Sequence, residues 1–155
     1  MDRDAICAVL PHRDPFLFVD RVLDAGEDWI ESEWTVPADG DWFRGHYPTR
    51  PVTPGVLLSE HTFQTGALLV ARLRERVEAA EDDVPVLTKI EDARFRRMVN
   101  PGETVRTRVT LTEVVGPAYL MRADVKWVGE GGETARVLRI GFTVTSTGGL
   151  GQLGV

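Results

Sequence analysis

The chain has one cysteine, Cys7, in 155 residues. A single thiol excludes an intramolecular disulfide and any cysteine-rich metal site, and Cys7 is read as a buried thiol rather than a nucleophile. No apolar run reaches the roughly 18 residues that a membrane span requires. The opening Met1 to Leu10 sets Asp2, Arg3 and Asp4 beside a short apolar run, which is not the pattern of a secretory signal. A cytoplasmic enzyme or binding domain is the expectation. Basic excess is also missing: 18 Lys and Arg face 24 Asp and Glu, a net charge of -6. A general nucleic-acid binder would lack the charge to neutralise phosphates. No repeat or linker divides the chain, so one domain is expected over residues 1–147, followed by a glycine-rich tail over 148–155.

What remains is ordinary for a soluble globular domain, 43% hydrophobic and 27% charged. Asp2 or Asp4 can cap a short helix that ends near Leu10, before Pro11. Phe16–Val22 and Trp29–Val36 read as strands, the second alternating Ile30 and Trp34 with Glu31 and Glu33. Residues 37–53 hold Pro37, Gly40, Gly45, Pro48 and Pro51, a long irregular loop of the kind that often carries function. Pro54 suits the first turn of a helix, with Thr53 as its N-cap. The helical pattern then runs from Val56 to about Ala80. It is apolar nearly all round in its first half and charged from Arg72 onward, so its start is expected to lie inside a sheet. Residues 86–95, 104–115, 119–128 and 134–145 are rich in β-branched and aromatic residues. Short turns separate them, which favours antiparallel neighbours. The fold class is α+β, a sheet wrapped around one helix.

The stretch Gly45-His46-Tyr47-Pro48 through Pro54-Gly55-Val56-Leu57-Leu58-Ser59-Glu60 carries the chemistry. Imidazole titrates near neutrality, so His46 can accept a proton at cellular pH. Glu60 sits among Val56, Leu57 and Phe63, where burial would favour its protonated form. Gly55 and Val56 offer backbone N–H groups at the positive end of a helix, where the oxygen of a polarised carbonyl can sit. A base, an acid and an oxyanion site together suit removal of a proton beside a carbonyl with loss of a β-hydroxyl. From Pro54 to Glu60 a helix rises about 9 Å, which separates Glu60 from the loop histidine within one chain. A dimer that pairs the loop of one chain with the helix of another removes the difficulty.

These residues resemble a family. Leu10-Pro11-His12-Arg13-Asp14-Pro15-Phe16-Leu17-Phe18-Val19-Asp20-Arg21-Val22, the 45–60 block with Gln64, and Ala93-Arg94-Phe95-Arg96-Arg97-Met98-Val99-Asn100-Pro101-Gly102-Glu103 are similar to the β-hydroxyacyl-acyl-carrier-protein dehydratases of the FabZ/FabA group. The blocks come in the family's order, and the histidine-to-glutamate spacing of fourteen matches. The resemblance implies a hotdog fold, a long helix lying in a curled antiparallel sheet. It also implies homodimers with shared active sites, in some members assembled as hexamers, and chemistry without metal or organic cofactor. Residue by residue, His46 becomes the catalytic histidine and Glu60 the carboxylate from the neighbouring chain. Gly55 N–H binds the thioester carbonyl, and Gln64 orients Glu60. A glutamate at this position is similar to the branch that dehydrates without isomerising. Asp14, Thr53 and Met98 depart from the usual tyrosine, methionine and proline. His61 and Phe63 replace small residues on the helix, so acyl-length preference is not carried over.

Among the remaining candidates, His12 and His61 are read as structural, His61 pointing about 100° around the helix from Glu60. Trp29, Trp34, Trp42 and Trp127 are assigned to core and interface. Arg94, Arg96 and Arg97 form the densest basic cluster, suited to docking an acidic acyl carrier protein that bears a hydroxyacyl chain. The expected reaction is dehydration of (3R)-hydroxyacyl thioesters to trans-2-enoyl thioesters. Thioester hydrolysis on the same fold, and a non-catalytic subunit that binds the carrier, stay open beside it.

Overall fold

The computed structural model describes residues 1–75 and 85–146. The expected end of the long helix near Ala80 and the glycine-rich tail lie outside the described residues. A first helix, α1 (Arg3–Val9), is capped by Asp2, whose carboxylate accepts the N–H of Ala5 at 3.0 Å. Strands β1 (Arg21–Ala25) and β2 (Trp29–Thr35) follow, then a 3₁₀ turn over Asp41–Arg44. The long helix α2 spans Gly55–Glu75, and four strands follow among the described residues: β3 (Pro85–Phe95), β4 (Thr104–Val115), β5 (Ala118–Val128) and β6 (Thr134–Ser146).

All six strands form one antiparallel sheet in the order β1-β2-β4-β5-β6-β3. Bulges in β1, β3, β4 and β6 interrupt the registers and let the sheet curl. The inner face closes on α2: Leu58, Leu68, Leu69 and Val70 pack with Val105, Val109, Met121, Leu138, Ile140 and Phe142, all buried. Gly66 permits the closest approach, because a Cβ there would stand 2.7 Å from the Phe142 ring. This is the expected hotdog architecture. Among the described residues no helix is long and apolar enough to cross a membrane.

Three local expectations are corrected. The first strand begins at Arg21 rather than Phe16, because the backbone of Phe16–Phe18 is bonded to side chains of α2 instead of to a neighbouring strand. Thr53 does not cap α2: its hydroxyl is buried without a hydrogen-bond partner among the described residues, and Pro54 O accepts the first helical bonds, from Leu57 and Leu58. Cys7 is half-buried at the margin of the core rather than enclosed.

The outer face of the sheet carries a charge ladder. Glu33 is nearly buried between Arg21 and Arg106, and Glu31 faces Arg106 and Arg108. Burial pushes the Glu33 carboxyl up, but the two arginines more than offset it and hold the group below its ordinary value. Trp34 and Trp42 belong to the inner aromatic cluster with Phe18. Trp29 and Trp127 instead lie under guanidinium groups, of Arg108 at 3.7 Å and Arg97 at 4.2 Å.

Candidate active site

His46 follows the 3₁₀ turn, its N–H bonded to Trp42 O at 2.8 Å. The next residue, Tyr47, has a φ of 52°, a left-handed conformation uncommon outside glycine. Its carbonyl accepts Arg50 N–H at 2.9 Å, which closes the turn. The His46 ring lies edge-on to Tyr47 and its Nδ1 is 2.9 Å from Val52 O. A carbonyl can only accept, so Nδ1 carries the hydrogen and the lone pair of neutral His46 sits on Nε2. The ring is therefore held in the tautomer of a general base.

Val52 is also the bridge to the helix start. Thr53 N–H bonds to Val99 O at 2.8 Å, which pins the chain against residues 96–100 just before α2 begins. The N–H groups of Gly55 and Val56 are first-turn donors with no acceptor among the described residues. Phe95 crowds Gly55: a Cβ there would meet the ring at 3.1 Å, so glycine keeps the helix start open. Gly55 lines a groove of about 570 Å³ with Val52, Thr53, Phe95, Arg96 and Met98. Val56 points its side chain outward, 75% exposed, so only its main chain can serve as a donor here.

Glu60 lies further along α2 and does not line that groove. Gln64, one turn on, donates Nε2–H to Glu60 Oε1 at 2.9 Å and to Phe16 O at 3.0 Å, while its own carbonyl accepts Phe18 N–H at 2.8 Å. All the groups of the Gln64 amide are thus engaged, which fixes the Glu60 carboxylate to the Phe16–Phe18 segment. His12 approaches the same oxygen, Nε2 to Oε1 3.6 Å. The structure thus brings Glu60, Gln64 and His12 together, and it ties His46 to Val52, which shares the groove with Gly55. Sequence reasoning missed the Val52 carbonyl, whose role as a backbone acceptor no residue type announces. It also missed the closeness of His12 to Glu60, since 48 positions separate them.

His61 is structural, as expected. It is fully buried, its Nδ1–H donates to Phe18 O at 2.7 Å, and burial pushes its pKa down to about 4 against the smaller upward pull of that bond. Phe63 turns edge-on to Phe142 at 5.1 Å. Of the three clustered arginines, Arg97 is engaged twice, by Glu103 and by the Trp127 face. Arg94 pairs with Asp92 at 2.8 Å, while Arg96 is exposed and unpaired among the described residues. No group of three or more His, Cys, Asp or Glu side chains gathers as metal ligands among the described residues.

A family model for the FabA-like domain matches residues 10–137. The 3-hydroxyacyl-[acyl-carrier-protein] dehydratase FabZ of Thioalkalivibrio sulfidiphilus is 37% identical over 141 residues, covering 88% of this chain and 94% of the relative. FabZ of Herpetosiphon aurantiacus is 40% identical over 111 residues, covering 70% of this chain and 75% of the relative. Among solved structures, the dehydratase heterocomplex ApeI:P from Xenorhabdus doucetiae superposes with a TM-score of 0.73 at 16% identity, covering 96% and 95% of the two chains. A Haemophilus influenzae thioesterase gives 0.55 at 20% identity, covering 81% of this chain and 76% of that one. The structural likenesses speak for the fold alone. With a family match over most of its length and FabZ relatives aligned nearly end to end, the chain belongs to the FabA-like dehydratase family, on its FabZ side.

Proposed function

We propose that this protein removes water from (3R)-hydroxyacyl chains carried as thioesters on acyl carrier protein, giving trans-2-enoyl thioesters for fatty-acid or related lipid synthesis. The observation that carries this reading is the Nδ1–H of His46 on Val52 O, which leaves Nε2 as an oriented base. Nε2 takes the proton from the carbon beside the thioester carbonyl, and the electron pair moves toward the carbonyl oxygen. The N–H groups of Gly55 and Val56 stabilise that oxygen as charge develops on it. The pair then forms the carbon–carbon double bond as the β-hydroxyl leaves, protonated by Glu60, as water. Return of one proton from His46 to Glu60, through solvent or product, resets the site.

The working unit in this reading is a homodimer, with hexamers as an assembly of such pairs. Two observations support it: no contact joins His46 to Glu60 among the described residues, and β3 is an edge strand with exposed apolar residues. Leu87, Ile90 and Phe95 on β3 are 40%, 52% and 50% exposed, with Met98 beside them at 60%. A second chain covering that edge buries them and can carry its Glu60 toward the first chain's His46. Arg96 and Arg97 line the groove at Gly55 and, with Arg94 just before them in the chain, form the carrier surface in this reading, with Arg96 the one of the three whose side chain has no partner among the described residues. The cytoplasm, where carrier-bound acyl chains are made and used, is the proposed location.

Mass spectrometry of a hydroxyacyl-carrier substrate before and after incubation tests the reading. Loss of one water from the loaded carrier is expected. Release of free carrier would mean hydrolysis instead, and an unchanged substrate would point to a non-catalytic subunit.

A further inference from the structure

The three histidines differ in what their rings are bonded to. His46 and His61 each engage Nδ1 with a backbone carbonyl, at 2.9 and 2.7 Å. His12 has no hydrogen bond at either ring nitrogen among the described residues, and its Nδ1 is buried. Packing alone rarely leaves both nitrogens of a half-buried ring unused. The ring is nonetheless held in place: it stacks on Phe16 at 6.4 Å with a 22° tilt. Its neighbour Arg13 ties down the main chain by donating to the carbonyls of Cys7, Leu10 and His12. What the ring faces is Glu60, with Nε2 3.6 Å from Oε1 and the two side chains 30% and 23% exposed. That is ion-pair distance, longer than a hydrogen bond.

We propose that His12 is a positioning residue for Glu60: with Gln64 it claims Oε1, so that the carboxyl exchanges its proton with substrate through Oε2. The proposal rests on the reading of Glu60 as the acid. Gln64 already donates to Oε1 at 2.9 Å. An oxygen that faces two N–H donors is an acceptor, so the acid proton belongs on the other oxygen. Protonating Nδ1 would bury an N–H without an acceptor, so the neutral ring with hydrogen on Nε2 is the form that fits. As Glu60 gives up its proton, negative charge spreads onto Oε1, and the 3.6 Å approach can shorten to a charge-assisted bond. The charged groups around the ring are Glu60 on α2 and Arg13 on its own segment, whose guanidinium points at backbone carbonyls.

The test measures kcat and KM on a hydroxyacyl thioester for His12→Ala and His12→Gln, each alone and combined with Glu60→Gln. Misplacing a catalytic group is expected to lower kcat of the alanine variant about tenfold or more. KM should change by less than about twofold, the signature of an interaction used in the transition state. Glutamine, which still offers an N–H, should recover most of the loss. In the Glu60→Gln background the alanine change should cost nothing further. Should alanine disturb folding, His12→Phe keeps a ring and removes the donor, so it makes the same comparison. A loss confined to KM, a glutamine variant no better than alanine, or losses that multiply in the Glu60→Gln background would overturn the proposal. Near wild-type turnover by Glu60→Gln itself would instead remove the acid assignment on which it rests.

Discussion

In the proposed reaction His46 and Glu60 carry the chemistry, and each is held by a contact that does not depend on substrate. His46→Ala and Glu60→Gln are therefore expected to fold normally and to lose at least roughly 10²-fold in turnover of a hydroxyacyl thioester. Circular dichroism and steady-state kinetics together check both halves of that statement. The residue types and their spacing were readable in the sequence. The tautomer of His46 was not, because a main-chain carbonyl decides it. His61 gives a second prediction at this scale. Its folded pKa of about 4 lies below the 6.5 of an unperturbed histidine, so below pH 6.5 the unfolded chain takes up a proton that the folded chain does not. Stability should fall as pH drops from about 6.5 to about 4, by up to roughly 3 kcal/mol. Glu33 and Glu103, held low by their arginines, add losses only below the ordinary carboxylate value of 4.5. Urea unfolding across this range should show the first decline in wild type and a flatter profile in His61→Asn. Equal slopes would show that His61 does not govern that window.

Elements differ in how far the chain announced them. Strands β4, β5 and β6 lie within two residues of their expected bounds, since long alternating β-branched runs between short turns admit few other structures. Phe16–Val22 satisfied the same composition rule and yet starts as an irregular segment. The competing partners were out of sight: Gln64 and His61 reach from α2 to occupy the Phe16 and Phe18 backbone groups that a neighbouring strand would have used. Polar side chains inside a helix that was expected to be apolar all round are the cause. The same tight contact between helix and sheet sets the role of Gly66. Alanine there improves helix propensity by about 1 kcal/mol, but its Cβ would meet the buried Phe142 ring at 2.7 Å. Overpacking of this kind costs typically 1–3 kcal/mol, so a net loss of about 1 kcal/mol and a drop in Tm of roughly 2–4 °C are expected. A Gly66→Ala protein that melts higher than wild type would show that the ring has room to move.

For the molecule as a whole, charge is distributed unevenly along the chain. Residues 1–60 hold twelve acidic side chains against five arginines, whereas residues 85–146 hold ten basic against seven acidic. A protein of net charge -6 thus has a basic stretch of sequence, and within it Arg96 is exposed at the groove that holds Gly55. An acidic carrier would be seated at that groove by local charge contacts with Arg96. Reversing Arg96 to glutamate is expected to weaken turnover of a carrier-bound substrate, mainly through KM. The effect should shrink as salt is raised, because exposed charges are screened over about 8–10 Å near physiological ionic strength. Arg97→Glu makes an informative contrast. It breaks the pairing with Glu103 and the stack on Trp127, so it should lower thermal stability as well and penalise every substrate. A short thioester without the carrier separates the two cases. Arg96→Glu should turn it over almost as wild type does, since neither His46 nor Glu60 depends on that guanidinium. Equal losses of Arg96→Glu on both substrates, unaffected by salt, would move the carrier surface away from this groove and leave Arg96 to the acyl chain.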